Sequence, residues 1–388
     1  MASLQEMKPF QCVKVQPQAN ELTGILEPHP RSGHRIVVDE CNVYSVGGYN
    51  PDFWGLENID DSTCFPLFKE LWKFNLINRR WTKLDTTGDM PNELASHSAM
   101  LLDHHLLVFG GTGVPFGDAA SNKLCLCNLH TLKWSHIKTS GEYPTKVYGQ
   151  SLSVYKNCLY VFGGTTGWVY NSELHKLDFN TGQWSMVEAT GAIPEGRYRH
   201  EVAIYNGHLY VFGGGRSYLC YKFEKMPVFH MEDNVWSEVE TYPDSQHGYP
   251  AARRCHSCVQ LKKDAYIAGG YDGEKIFGDI WRLCLVSKRW SKLSVVLPEP
   301  VYFHSADVTP AGCMYIFGGV TVIEHVRTSS VYRVWLQPPP SLKELSWSWI
   351  IEHVPRIGKL PKEKLLQLGI PHDYAWRIAQ SLEPGVCA

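Results

Sequence analysis

Six short apolar runs punctuate the chain, VYSV, LLVF, LYVF, LYVF, AYIA and MYIF, and each ends at a pair of glycines, beginning at residues 47, 110, 163, 213, 269 and 318. Unbroken hydrophobicity over four residues predicts a strand covered on both faces by neighbouring sheets. The glycines let the chain turn with positive φ and let backbones approach closely. Thirteen residues before the first glycine stand His34, His97, Gln150, His200 and His256, with His304 at fourteen. Further on, Trp81, Trp134, Trp184, Trp236 and Trp290 each follow by eleven residues the start of a second strand, as in ELWKFNL, ELHKLDF and DIWRLCL. A ring of that size is suited to wedge between adjacent sheets. One period thus holds four strands, a to d. With glycine pairs 49 to 63 residues apart, the chain reads as a propeller of six four-stranded blades.

The sixth period has no tryptophan opening strand d. After SVYRVWL comes Gln337-Pro338-Pro339-Pro340, which cannot continue a ladder. The missing strand is expected from Phe10 to Val15, closing the ring without an exposed edge. The expected division is therefore a flexible N-terminus (1–9), a propeller (10–336), a proline-rich linker (337–340) and a helical tail (341–388). In the tail, SLKELSWSWIIEHV (341–354) places Leu342, Leu345, Trp349 and Ile350 at helical spacing, with Ser341 and Glu344 as a capping box. LPKEKLLQL (360–368) and PHDYAWRIAQSL (371–382) predict two further helices.

Topology locates a working face. Strands b and d run in the same direction, so the b to c and d to a loops emerge on one side of the disc. The d to a loops there carry Arg31, Lys146, Tyr148, Arg197, Tyr198, Arg199, Arg253, Arg254 and Tyr302. The b to c loops add Tyr49, Phe116, Trp168, Tyr170, Arg216, Ser217, Tyr218 and Tyr271, together with Glu57, Asp60 and Asp61 on the first. Guanidinium groups among aromatic rings suit a peptide that bears a carboxylate. Arg31, Arg197 and Arg253 share the position three residues before the histidine, which leaves a purely structural role between blades equally open. Arg199, Arg216 and Arg254 lie outside that register and are the better candidates for ligand contact.

The remaining composition narrows the classes. Thirty-seven basic and thirty-nine acidic residues give a formal net charge of −2, which argues against general electrostatic binding to nucleic acid. No apolar stretch has the length of a membrane span, and MASLQEMKPF lacks the apolar core of a secretory signal. A cytoplasmic or nuclear location is expected. Twelve cysteines scatter over the chain, several within apolar strands, and read as reduced thiols. Cys255 and Cys258 form a lone CxxC without a second pair, so no metal is expected. The recurrent histidines, spread around an axis, suit hydrogen bonds to the turn. No nucleophile is paired with a base at a known spacing, so neither catalysis nor a cofactor is expected; an oxidase on a propeller would need convergent His and Tyr ligands.

The Gly-Gly and Trp repeat resembles the kelch repeat, which implies an all-β, six-bladed kelch β-propeller followed by a short C-terminal α-helical tail. Ser341, Leu342, Ser346 and Ile350, with Leu345 among them, resemble a BC-box, the helix that docks on Elongin C. A Cullin-2 box is matched by Leu360, Pro361 and Leu368, with Lys364 at an apolar position, and in a later frame by Ile370, Pro371, Tyr374 and Ile378. That order, together with GYNPD (48–52), PLFKELW (66–72), GGTGVPFG (110–117), RYRHE (197–201), PAARRCHSCVQ (250–260), EPVYFH (299–304) and TPAGCMYI (309–316), is similar to the kelch substrate receptors of Cullin-2 RING ubiquitin ligases. The resemblance implies assembly with Elongin B, Elongin C, Cullin-2 and its RING subunit. It also implies recognition of proteins that end in glycine or another small residue. In such receptors two arginines and a serine hold the terminal carboxylate. Arg216 resembles the first arginine, Arg254 stands at the serine position, and Lys222 is merely near the place of the second arginine. A ligase-independent interaction adaptor shares every feature except the tail.

Overall fold

The structure is a computed structural model and describes residues 10–18, 26–54, 66–336, 346, 350, 354, 357 and 360–379. Six antiparallel sheets stand around one axis. Blade 1 is built from Arg35–Val38, Asn42–Val46, Leu71–Asn75 and Trp81–Lys83, and the four following blades repeat that order. In blade 6 the strands Ser305–Val308, Cys313–Phe317 and Val331–Trp335 are completed by Cys12–Val15, which pairs antiparallel with the last of them from Cys12↔Val334 to Val15↔Val331. The ring is closed by joining its two ends, as expected.

Blades 2, 3 and 4 carry more than four strands. Thr87–Gly88, Ser140–Gly141 and Thr190–Gly191 each run parallel to the outer strand of the following blade. This fifth strand requires glycine: a Cβ on Gly88 would stand 2.3 Å from the Trp134 carbonyl oxygen. It covers part of an edge that would otherwise face solvent.

The tryptophans wedge between blades. Trp81, Trp184, Trp236 and Trp290 pack on Phe317, Phe109, Phe162 and Phe212, the phenylalanine ending strand b of the preceding blade, with ring centroids 5.0–6.2 Å apart. Three of the recurrent histidines also join blades through their Nε2 atoms. His34 Nε2 lies 3.1 Å from the Phe317 carbonyl, and His200 and His304 reach the hydroxyls of Ser151 and Ser257 in the preceding blade. Gln150 donates to the Phe109 carbonyl in the same manner. Burial pushes His97 and His304 down to about 3, so both are neutral at physiological pH.

The axis is closed on the face where strands b and d end. Six residues, each immediately before the recurrent His or Gln, form a cyclic chain of backbone hydrogen bonds. Ser96 donates to Gly33, Gly149 to Ser96, Arg199 to Gly149, Cys255 to Arg199, Phe303 to Cys255 and Gly33 to Phe303, at 2.7–3.0 Å. All six have φ between 53° and 68°, although only two are glycine. Such a ring leaves no aperture. An axial channel of about 760 Å3 therefore belongs to the other side, lined by the inner strands from Arg35, Ser98, Ser151, Glu201, Ser257 and Ser305 outward. Arg35 and Glu201 bridge it at 2.8 Å.

On that other face sits the tail. Helices α1 (Lys362–Gln367) and α2 (His372–Ala379) form a small core in which Leu365, Tyr374, Ala375, Ile378 and Ile357 meet Ile77 of blade 1, with Ile350, Leu360 and Ile370 packed around it. Arg377 lies 3.4 Å from Glu40. Ser346 and Ile350 are helical, Ser346 exposed and Ile350 partly buried. Ser341, Leu342 and Leu345 lie outside the described residues, as do the proline-rich linker and Glu57, Asp60 and Asp61.

Candidate functional site

Above the backbone ring the b/d face forms a bowl. The residue preceding each ring member, Ser32, Ala95, Tyr148, Tyr198, Arg254 and Tyr302, makes an antiparallel bridge with the first residue after a glycine pair, Tyr49, Thr112, Thr165, Gly215, Tyr271 and Val320. The wall is thus six short pieces of paired backbone whose side chains meet at the mouth. Rigid backbone, rather than free loop, sets their positions.

An arc of aromatic and guanidinium groups follows that wall. Tyr170 and Tyr198 have ring centroids 5.7 Å apart, Arg254 lies 5.9 Å from the Tyr198 centroid and 6.0 Å from that of Tyr271, and Tyr271 stacks on Tyr302 at 4.9 Å. Arg327 continues the arc at 5.9 Å from Tyr49, which packs edge-on against Phe116. The loop tips beyond it expose large apolar side chains, with Trp168 82% and Tyr218 fully exposed and Leu219 and Phe116 about half so.

Arg254 has the character of a ligand-binding group. It is half-buried, and among the described residues its side chain donates only through Nη1, to the carbonyls of Arg216 and Ser217. Among the described residues no carboxylate lies within ion-pair distance of it. Burial opposes its charge, and Tyr198, Cys255 and Cys220 more than offset that, so its pKa stands above the ordinary guanidinium value. Arg327 resembles it: half-buried, bonded through Nη1 to the carbonyls of Glu324 and His325, with a buried Nε that has no partner. Arg327 was not among the residues drawn from the sequence, because it ends a hairpin (Val320–Val322 with Val326–Arg327) that among the described residues is found in blade 6 alone. The signal available was its place on the b to c loop.

The other arginines are placed differently. Arg31, Arg197 and Arg253 are buried in the blades and do not line the bowl. Each donates Nε to the carbonyl two residues earlier and Nη1 to the first carbonyl of a glycine pair. Each also lies under a ring, Phe68, Tyr221 or Phe277, at 3.9–4.3 Å. Their register gives them the structural role. Arg199 is the floor: its guanidinium crosses the backbone ring to the Ser96 hydroxyl and lies 4.8 Å from the Phe303 centroid, and it is 3% exposed. Burial, with Arg35 nearby, pushes it down to about 10. Arg216 turns outward to the Gly196 carbonyl and pairs with Glu195 at 3.3 Å. Tyr148 is partly exposed at the wall, Tyr302 is buried in its stack, and Ser217 shares a 2.8 Å hydrogen bond with Tyr170. The ten described cysteines are free, and no cluster of metal-ligating side chains is found among the described residues. No described helix is long and apolar enough to cross a membrane.

Residues 33–270 match the KLHDC2/KLHL20/DRC7 kelch-repeats domain, and residues 252–294 match the kelch motif. The chain is 46% identical to kelch domain-containing protein 10 of Xenopus laevis over 362 residues, covering 92% of this chain and 87% of that protein. To the Homo sapiens protein of that name it is 47% identical over 364 residues, covering 92% and 81%. To the Drosophila melanogaster homologue it is 36% identical over 400 residues, covering 96% and 65%. With the repeats, the closed ring of six blades and these relatives together, the chain belongs to the kelch-repeat β-propeller family.

Proposed function

We propose that this propeller is the substrate-recognition subunit of a Cullin-2 RING E3 ubiquitin ligase, and that its b/d bowl binds polypeptide C-termini ending in glycine or another small residue. The observation that carries the reading is Arg254, a half-buried guanidinium with tyrosine faces on two sides that, among the described residues, has unused donors and no carboxylate partner. A terminal carboxylate offers the acceptor it lacks. Arg327 faces the same bowl and Arg199 lies beneath it, so the positive field is concentrated where the anion would rest. A floor of backbone, including Gly33 and Gly149, leaves little depth for a last side chain. Arg216, held by Glu195, contributes at the edge. Kelch-repeat propellers are typically non-catalytic interaction modules, consistent with a receptor that performs no chemistry itself.

In this reading the tail carries the ligase contacts. Leu342 and its neighbours dock on Elongin C, while Pro361, Leu368 and Pro371, exposed beside the tail's core, face Cullin-2. A ligase-independent adaptor is the second reading, favoured by the packing of that same core on Ile77, which a purely structural tail would also need. Two measurements test the proposal. Fluorescence polarisation should show Gly-ended peptides binding as free acids and not as amides, with Arg254→Ala weakening the free acid by roughly tenfold or more, as expected for a charge-assisted pair. Co-purification with Elongin B and C separates receptor from adaptor. Equal affinity for acid and amide ends the first half; absence of the Elongins ends the second.

A further inference from the structure

Blades 1 and 5 contain the same four-part device. A buried arginine lies under a phenylalanine, donates to two backbone carbonyls, and meets an acid two residues after that phenylalanine. Arg31 bonds Glu70 at 2.9 Å; Arg253 bonds Asp279 at 2.6 and 3.2 Å. The acid is held in turn by a tryptophan two residues further on, Trp72 or Trp281, each donating at 2.7 Å.

Blade 4 repeats the device without its acid. Arg197 keeps the ring, Tyr221 at 3.9 Å, and both carbonyl bonds. Two residues after that ring stands Phe223, buried in the core, and the strand that follows opens with Lys225 and has Pro227 at the strand position where blades 1 and 5 have Trp72 and Trp281. The proline interrupts the ladder: pairing between His208–Phe212 and Lys225–His230 stops at Tyr210↔Val228, whereas strands b and c of blade 5 stay paired to their ends. A groove of about 740 Å3 opens there, with Arg197 in its wall beside Ile193, Lys222 and Lys225. Arg197 is 4% exposed, and among the described residues its Nη2 makes no hydrogen bond and no carboxylate pairs with it. Glu224 and Glu238 also line the groove but do not reach it, and Glu195 is engaged by Arg216 and Tyr221.

We infer that this groove receives an Asp or Glu side chain of a bound polypeptide, whose carboxylate takes beside Arg197 the place that Glu70 and Asp279 hold in blades 1 and 5. A buried guanidinium under an aromatic ring, in the wall of a groove, is two of the four parts of a device this chain builds complete in blades 1 and 5. The groove is linked to the bowl's edge through Glu195, which lines the groove and pairs with Arg216, the residue before Ser217 of the bowl. A polypeptide seated by its end in the bowl can therefore lay upstream residues in the groove. The inference rests on the reading that this face binds polypeptide, but not on recognition of the terminus.

The test uses the full-length protein and C-terminally amidated twelve-residue peptides of glycine and serine bearing one Glu or, in the control, one Gln. Wild type and Arg254→Ala should both bind the Glu peptide roughly tenfold more tightly than the Gln peptide. Arg197→Lys should reduce that preference below twofold. Because a substitution at Arg197 can disturb folding, Lys225→Glu, at an exposed position on the same groove, provides a second variant: an acid supplied from within should occupy Arg197 and abolish the preference with the protein intact. Equal binding of Glu and Gln peptides to wild type, or a preference unchanged in Lys225→Glu, overturns the inference. A preference lost in Arg254→Ala would instead place the acid in the bowl and overturn it as well.

Discussion

Arg199→Met separates stability from binding at the floor of the bowl. The guanidinium is buried, and among the described residues its Nε has no partner and no carboxylate pairs with it. Burial, aided by Arg35, pushes its pKa down from the ordinary guanidinium value to about 10, which corresponds to a penalty of about 3 kcal/mol on the charged form. At neutral pH the group is charged folded and unfolded, so the folded state carries that penalty in full. Methionine keeps the bulk of the stem and discards the charge. It forfeits the hydrogen bond to Ser96 and the contact with the Phe303 ring, about 1 kcal/mol each. The difference predicts a protein more stable by about 1 kcal/mol, with a melting temperature higher by about 1–2 °C for a propeller of this size. Binding of a free-acid peptide should weaken by roughly tenfold and lose part of its salt dependence, while the amide is unaffected. Urea denaturation gives the first quantity, and polarisation at two ionic strengths gives the second. A destabilised variant would mean that the guanidinium holds the ring of strands together, and an unchanged affinity would mean that the floor does not act on the ligand; either refutes the reasoning.

Glu70→Gln leaves Arg31 buried without its counter-charge and weakens the acceptor of Trp72, and should cost about 3 kcal/mol by denaturant midpoint. Asp307, partly buried on the axial channel, has its pKa pushed up to about 6 by burial from an ordinary 3.8. Its contribution to stability therefore falls as pH rises between these values, and Asp307→Asn should stabilise by about 1–2 kcal/mol at pH 7.5 with no gain at pH 4. Deletion of residues 1–15 removes the outer strand of blade 6 and the buried Val15. The product should show concentration-dependent association by light scattering, the expected behaviour of an open edge; a monomer of unchanged stability would contradict the pairing.

Much of the architecture was readable from residue type, because the geometry admits few alternatives at the positions that define it. A side chain on Gly47 would meet the Leu94 carbonyl oxygen at 2.6 Å, and one on Gly269 the Val301 oxygen at 2.4 Å. The absent sixth tryptophan likewise pointed to a strand from the N-terminus. The fifth strands had a signal in Thr87-Gly88, Ser140-Gly141 and Thr190-Gly191, but two residues carry too little pattern to be read alone. The backbone ring had almost none: Ser96, Arg199, Cys255 and Phe303 adopt positive φ because neighbouring blades hold them there, against their own preference. For the candidate site, the sequence grouped the loops that the fold gathers on the b/d face but could not rank their arginines. Arg31 and Arg253 announce their structural role only once Glu70 and Asp279 are seen to be the acids of ELW and DIW. Arg216 and Arg254 differ through Glu195, a partner twenty-one residues away along the chain from the first of them.

Joining Cys12–Val15 to Val331–Trp335 has a consequence for biosynthesis. The propeller's first strand to leave the ribosome finds its neighbour only after roughly 300 further residues have been added, a wait of roughly 15–60 s at ordinary elongation rates. Until then the nascent chain holds an orphan segment at one end and a growing stack of unclosed sheets at the other. Completion of the circle is a single late event, and a ribosome that stalls before residue 331 releases a product that cannot perform it.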